Sequence, residues 1–280
     1  MYTLLYTPSQ DAVVASQLIN KGGLELTPLP ELVNLAQFVP FGIINGDGYL
    51  HGQTLEFVSH LPSDRPVTYV HIDNHSDREF DSRWELGEVS YANFTIPLGR
   101  LRNVSRVIYL EINPRFILDR ANTAEYCIEL LSRCEVYSGQ HTTFRGLDFF
   151  NRNPEKGDWM AIPKEILEVA ETNGSVKSIA NYKFDHTCSI AWKSITDFDP
   201  ERIETSDAYV SIDLDVLKSD VPIPTNPRFK RGILSLETLM ELVRNIKQRK
   251  NIIGFDITGF YQNEHTTQTD SLVDIVRSFI

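Results

Sequence analysis

Asp73-Asn74-His75-Ser76-Asp77 follows directly on Val67-Thr68-Tyr69-Val70-His71-Ile72, and Asp213-Leu214-Asp215 follows directly on Ala208-Tyr209-Val210-Ser211-Ile212. Both leading runs are rich in β-branched and aromatic residues, the composition of a strand. Each acidic cluster therefore stands at a strand's carboxyl end. Open α/β sheets bind ligands in the crevice outside those ends, so two clusters far apart in sequence can meet there. Side chains alternate along a strand, and the i, i+2, i+4 spacing of Asp-x-His-x-Asp and of Asp-x-Asp is expected to send each set to one side.

Together Asp73, His75, Asp77, Asp213 and Asp215 offer five hard donors. Four carboxylates brought together repel one another unless cations hold them. Oxygen donors with one or two imidazoles suit Mn²⁺ better than a thiolate-seeking metal, with Zn²⁺ and Fe²⁺ as alternatives. Two metals about 3.5–4 Å apart, bridged by carboxylates, are a standard hydrolytic arrangement. A lone Asp-x-Asp at a strand end more often caps the next turn through its own backbone. It is the pair of motifs that argues for a metal site.

At these residues the chain resembles the arginase and agmatinase (ureohydrolase) superfamily. Asp73-Asn74-His75-Ser76-Asp77 is similar to its Asp-Ala-His-x-Asp motif, and Ser211-Ile212-Asp213-Leu214-Asp215-Val216-Leu217 to its Ser-x-Asp-x-Asp motif. Downstream, Gly232-Ile233-Leu234-Ser235-Leu236-Glu237 resembles a family helix opening, and Ile253-Gly254-Phe255-Asp256-Ile257 its next core strand. The likeness runs over roughly residues 45 to 280 and implies a three-layer α/β/α fold with a largely parallel central sheet. It also implies a two-manganese centre that hydrolyses a guanidino C–N bond. By position, Asp73 and Asp213 would bridge two Mn²⁺ ions, Asp77 would serve one, and His75 with Asp215 the other. The family's upstream Gly-Gly-Asp-His run is loosened here to Asn45-Gly46-Asp47-Gly48-Tyr49-Leu50-His51, which makes His51 the expected sixth ligand; the competing reading is a solvated histidine in a Gly-rich turn. His71, one alternation deeper in the strand, is the weaker candidate.

The substrate end departs from the family. Gly259, in Gly254-Phe255-Asp256-Ile257-Thr258-Gly259-Phe260, stands where the family has a guanidinium-holding Glu. Asp256 and Glu264 are the nearest acids in sequence and the expected replacements. No His-Gly motif follows Asp77, so the family's proton-shuttling histidine is sought elsewhere: His265 is the choice, with His141 and His186 as alternatives. Asp77 is expected to accept or orient a proton as well as to bind metal. Lys218-Ser219-Asp220-Val221-Pro222-Ile223-Pro224-Thr225 also replaces the family's immediate Asp-Pro. These departures look more like the divergent arginases that convert arginyl side chains of peptides to ornithine and urea than like enzymes for free arginine or agmatine. An arginine-containing peptide is thus the expected substrate, with a small guanidino compound as the alternative. A single-zinc deacetylase-like amidohydrolase and a non-catalytic protein using metal as a staple are the further readings.

Composition sets limits. Residues 1–280, 41% of them hydrophobic, can bury one substantial core, and a single arginase-like domain is expected. A net charge of −11 argues against nucleic acid and anionic membrane as partners and favours a cationic substrate. Cys127, Cys134 and Cys188 show no Cys-x-x-Cys spacing, which indicates neither a disulfide framework nor a structural zinc site. Met1–Tyr6 lacks the basic start and apolar core of a signal peptide, and no run is long enough to span a membrane, so a cytoplasmic location is expected. A homo-oligomer is an open option.

Strands are expected at Tyr2–Tyr6 and Val104–Ile112, and helices at Thr123–Leu131, Pro163–Glu171 and Leu236–Lys247, the last capped by Ser235. Thr267 with Asp270 forms a capping-box pattern before a final helix, whose Leu272, Ile275, Val276 and Phe279 should face the core. Residues 146–158 read as a long loop. The charged, aromatic stretch from Arg78 to Glu88 reads either as an active-site loop or as a solvated helix.

Overall fold

The computed structural model describes residues 2–7, 14–16, 18–20, 22–29, 35–77, 87–111, 134–137, 141–145, 176–180, 187–192, 194–223, 225, 231–260 and 269–280. Eight strands form one sheet: β1 (Thr3–Tyr6), β2 (Leu26–Pro28), β3 (Phe41–Ile44), β4 (Val67–Ile72), β5 (Val104–Leu110), β6 (Cys134–Tyr137), β10 (Asp207–Asp213) and β11 (Asn251–Thr258). Their spatial order is β2-β1-β3-β11-β10-β4-β5-β6, and every pairing is parallel. The expectation of a largely parallel sheet holds. The strands that carry the two motifs, β4 and β10, are neighbours at its centre, in register from Asp207↔Val67 to Ile212↔Ile72.

Fully parallel strands need cover on both faces, and here the two covers differ. On one face Val70, Ile72, Ile108, Leu110, Val210, Ile212, Phe255 and Ile257 share a single apolar cluster with α3 (Leu236–Arg249) and α4 (Asp270–Phe279). The Phe255 and Phe279 rings stack there with centroids 3.9 Å apart. On the other face lie α1 (Thr54–Ser59) and α2 (Thr95–Leu98), and the strands present Tyr69, His71, Tyr109, Tyr209, Ser211 and Asp256, all buried. The three-layer α/β/α arrangement is therefore present, with one dry face and one face that is polar at its central strands and apolar at Leu5, Phe41, Ile43 and Val107.

Local signals account for the helices. Ser235 caps α3 by accepting the Thr238 N–H at 3.1 Å, and Leu239, Leu242, Val243 and Ile246 recur at helical spacing on its buried side. In α4, Leu272, Ile275, Val276 and Phe279 are buried as expected. Its first residue is Asp270, flanked by Thr269, whose side chain makes no cap bond, and Thr267 of the expected capping box lies outside the described residues. Sequence periodicity did not anticipate β2 or a separate antiparallel sheet, β7 (His141–Arg145), β9 (Thr187–Trp192) and β8 (Val176–Ala180), in the order β7-β9-β8. Strand β5 ends at Leu110, two residues before the expected limit. The expected helices at 123–131 and 163–171, the loop at 146–158 and residues 78–86 lie outside the described residues. No described helix is long and apolar enough to cross a membrane.

Candidate metal centre

Strands β4 and β10 end side by side, and the chain curls at both ends in the same way. Asp73 Oδ1 accepts the His75 N–H at 2.6 Å, and Asp213 Oδ1 accepts the Asp215 N–H at 3.0 Å. Each first aspartate thus caps its own turn with one oxygen. Capping, posed by the sequence as the rival of metal binding, occupies one oxygen of each carboxylate: the other, Asp73 Oδ2 and Asp213 Oδ2, faces His51, at 3.4 and 3.8 Å from its Nδ1.

This corrects the strand-alternation argument. Residues 73–77 are not extended; they bend, and Asp77 sits in the left-handed region with φ 46°. For a residue with a Cβ that conformation is uncommon and must be held from outside. Thr95 holds it, donating to the Asp77 carbonyl from its N–H at 3.1 Å and from its hydroxyl at 2.7 Å. Tyr109 in turn donates to the Thr95 hydroxyl at 3.1 Å. The result turns the Asp77 carboxylate back toward the end of β4, with Oδ2 2.8 Å from His51 Nδ1.

His51 arrives from the loop after β3. Asp47 caps the 3₁₀ turn Gly48–Gln53 by accepting the Tyr49 N–H at 3.1 Å, and Gly46 takes φ 61° to enter it. The loosened motif therefore delivers a histidine that is 1% exposed, and the solvated-histidine reading fails. His75 stands on the opposite side of Asp73, with Nδ1 2.8 Å from Asp215 Oδ2 and 3.7 Å from Asp73 Oδ1. The Asn74 N–H adds a bond to Asp215 Oδ1 at 3.3 Å.

The six expected ligands thus form two halves: His51 with Asp77, and His75 with Asp215, joined by Asp73 and flanked by Asp213. Within the described residues, donor atoms of His51, His71 and Asp73, and those of Asp73, His75 and Asp215, lie within 4.8 Å of one another. His51 Nδ1, Asp73 Oδ2 and Asp215 Oδ2 are buried without a hydrogen bond even though opposite charges lie close by. Uncommitted donors converging from two sides are what a pair of divalent cations needs, so the residues fit the group.

Electrostatics agree. Burial, then the neighbouring Asp73 charge, pushes the Asp77 carboxyl up to about 7, and the same two causes push Asp213 up to about 6. Burial and the charges of Asp213 and Asp73 raise Asp215 as well. Asp73 moves the other way: burial opposes its charge, but the imidazoles of His51, His71 and His75 outweigh burial and hold its carboxyl well below the usual range. Burial also opposes charge on His75, yet Asp215 and Asp73 carry it up to about 12, and Asp73 and Asp77 raise His51 in the same manner. In this cluster protons occupy places that metal cations would compete for.

Asp256 lies on neither the solvent side nor the substrate side. It is fully buried beneath His51, and its Oδ2 accepts the hydroxyls of Ser211 at 2.9 Å and Thr54 at 3.0 Å. The expectation of a substrate-facing acid is corrected: the alternation of β11 sends Asp256 into the sheet's polar face. Gly259 has φ 86°, and a Cβ there would collide with the Asp213 carboxylate. The position that carries Glu in the resembled family is here packed against a candidate ligand. His265, Glu264 and His186 lie outside the described residues, as does the side chain of His141.

A parallel α/β/α sandwich with its acid–histidine centre at the carboxyl ends of the two middle strands has the ureohydrolase fold. Solved structures with which it shares that fold include agmatine ureohydrolase of Thermoplasma volcanium (TM-score 0.54, 14% identity, 99% of this chain and 88% of that one covered). Proclavaminate amidino hydrolase from Streptomyces clavuligerus gives 0.53 and 14% over 100% and 90% of the two chains. Arginase from Bacillus subtilis gives 0.53 and 14% over 99% and 97%. The chain matches no family model and no curated protein.

Proposed function

We propose that the chain is a binuclear manganese hydrolase of guanidino C–N bonds, acting on arginine side chains of a peptide to leave ornithine and release urea. The observation that carries this reading is the position of Asp73, with one oxygen toward His51 and the other toward His75, between two carboxylate–imidazole halves. Three carboxylates and one imidazole are available to each ion, a hard donor set that suits Mn²⁺. When bound, the ion pair supplies Lewis acidity, lowering the pKa of water and stabilising negative charge that develops on the substrate.

The chain's own residues then have separable tasks. His51, Asp73, His75, Asp77, Asp213 and Asp215 hold the ions. Asp77 is also assigned to accept or orient a proton; in the metal-free cluster burial raises its carboxyl to about 7. His75, with a side chain 22% exposed, marks the open side from which substrate reaches the centre. His265 is assigned as the proton carrier and Glu264 as the acid that receives the guanidinium. A peptide substrate is supported by Gly259, which leaves no side chain at the position where the resembled family grips a free guanidino compound.

The test is urea release by purified protein and Mn²⁺ from arginine-containing peptides, free arginine and agmatine, with metal content measured on the same sample. Urea from the peptides, with two ions per chain, is the expected result. Urea from free arginine or agmatine alone overturns the peptide assignment. One ion per chain would favour the single-metal amidohydrolase instead, and a fully loaded protein inert toward every guanidino compound overturns the reaction class.

A further inference from the structure

His51 and His71 lie face to face, with ring centroids 5.2 Å apart and planes 11° from parallel. Both reach the same oxygen: Asp73 Oδ2 is 3.4 Å from His51 Nδ1 and 3.2 Å from His71 Nε2. By donor type and distance alone, either could be a ligand. A neutral imidazole has one lone pair and one N–H, however, and the partner of the outer nitrogen fixes which of them turns inward.

The outer partners of the two rings differ. His51 Nε2 is 2.8 Å from Ser211 Oγ. Ser211 sends its single hydroxyl proton on to Asp256 Oδ2 at 2.9 Å, where the Thr54 hydroxyl also donates. A hydroxyl whose proton is committed can only accept. Nε2 of His51 therefore carries a hydrogen, and Nδ1, which faces Asp73, Asp77 and Asp213, is the atom that would bring a lone pair to a bound ion. On His71 the inward atom is Nε2, which lies 3.2 Å from the carbonyl oxygen of His75, a group that only accepts. Its Nδ1 lies 3.0 Å from the Tyr69 hydroxyl, which can donate to it. His71 thus turns an N–H toward Asp73, not a lone pair.

We propose that Asp256, acting through Ser211, is a positioning residue that makes His51 a metal ligand, while the His75 carbonyl and Tyr69 fix the N–H of its stacked neighbour His71 on the side of the centre, where that ring offers no lone pair. Both rings carry hydrogen on Nε2, but they face the centre with opposite atoms. The inference rests on the two-metal reading above and adds two layers to it: a buried Thr54–Asp256–Ser211 group behind one ligand, and a histidine within ligand distance that is not one.

The experiment pairs Mn²⁺ titration calorimetry with long-range ¹H–¹⁵N spectra of Zn²⁺-loaded protein labelled at histidine. In wild type the spectra should show metal on His51 Nδ1, hydrogen on His51 Nε2, and no metal on either nitrogen of His71. Ser211→Ala and Asp256→Asn should each weaken one of the two ions by about 10–100-fold and leave the other within a few-fold. His71→Asn, which keeps an N–H donor and offers no imidazole lone pair, should retain both ions. Metal on His71, hydrogen on His51 Nδ1, or loss of an ion in His71→Asn overturns the assignment, as do unchanged affinities in both Ser211→Ala and Asp256→Asn. Because the wild-type spectra decide the tautomers by themselves, misfolding of a variant does not remove the test. A wild type that binds fewer than two ions fails the two-metal reading itself, a result distinct from two bound ions with the wrong tautomers.

Discussion

On one face of the central sheet Val70, Ile72, Val210, Ile212, Phe255 and Ile257 meet α3 and α4 in a dry layer; on the other, the alternate residues Tyr69, His71, Tyr209, Ser211 and Asp256 are as completely buried but polar throughout. The same strands supply both faces, so burial does not distinguish them. What differs is how each face makes burial favourable. The dry face gains about 25 cal/mol for each Å² of apolar surface removed from water. The polar face must satisfy its groups one by one, since an unmatched buried donor or acceptor costs about 1–3 kcal/mol. It does so in part, through the bond between Tyr69 and His71 and the chain from His51 through Ser211 to Asp256, while Asp73 Oδ2, Asp215 Oδ2 and His51 Nδ1 stay without a hydrogen bond. The flanking strands keep this second face apolar at Leu5, Phe41, Ile43 and Val107, so its polar groups are confined to the middle of the sheet.

That division can be broken from either side. Asp215→Ala strips the polar side of a ligand, and we expect urea release to fall by more than about 100-fold, beyond the loss from an outer-layer change. The metal-free variant should melt no lower than wild type, because burial disfavours the Asp215 charge. Steady-state assay and thermal melting in chelator check the two halves of this statement. Ile275→Ala should do the reverse. It removes a fully buried aliphatic chain from the dry face and should cost about 2–5 kcal/mol in denaturant unfolding, while the folded variant still binds two ions.

A smaller effect follows from pH. Asp77 and Asp213, pushed up to about 7 and about 6, keep protons in the metal-free fold that the unfolded chain has already released above its ordinary value of 3.8. Their contribution to stability is complete below about pH 4 and is lost as pH rises through about 6 to 7. His75, raised to about 12, adds loss in the same direction above 6.5. The metal-free protein should therefore melt lower at pH 8 than at pH 5. With Mn²⁺ the order should invert, since the ions compete with those protons; melting curves at the two pH values, with and without chelator, decide. Asp47→Ala gives the mildest perturbation: loss of the cap on the turn that carries His51 should cost about 1 kcal/mol and weaken one ion by several-fold in a titration.

Much of the dry face was legible in the sequence, because the information is local. The apolar runs of β4, β5 and β10, the Ser235 cap and the helical spacing in α3 and α4 each need only a few neighbouring residues. The candidate ligands Asp73, His75, Asp77, Asp213 and Asp215 were legible as motifs. His51 needed the resemblance, since a histidine in a Gly-rich turn has no local signature of burial. The polar layer went unread although its signal was present. Tyr69 and His71, and Tyr209 and Ser211, alternate with aliphatic residues in strands that otherwise read as wholly apolar. Seeing that they form one layer requires the register that sets Tyr209 beside Tyr69, and Ser211 beside His71 on one flank and Asp256 on the other. Asp256 was misread for the same reason, as a free acid near the substrate. The left-handed turn at Asp77 could not be foreseen either, because Thr95 holds it from across the fold.

Gly259 ties the edge of the site to its centre. Its backbone lies in a region that residues with a Cβ rarely adopt, and the volume such an atom would fill belongs to the carboxylate of Asp213. Placing an acid at 259 therefore does more than add a charge: its Cβ would displace the Asp213 carboxylate or the backbone at Leu214. In this backbone a side chain at 259 and the present place of the Asp213 carboxylate exclude each other.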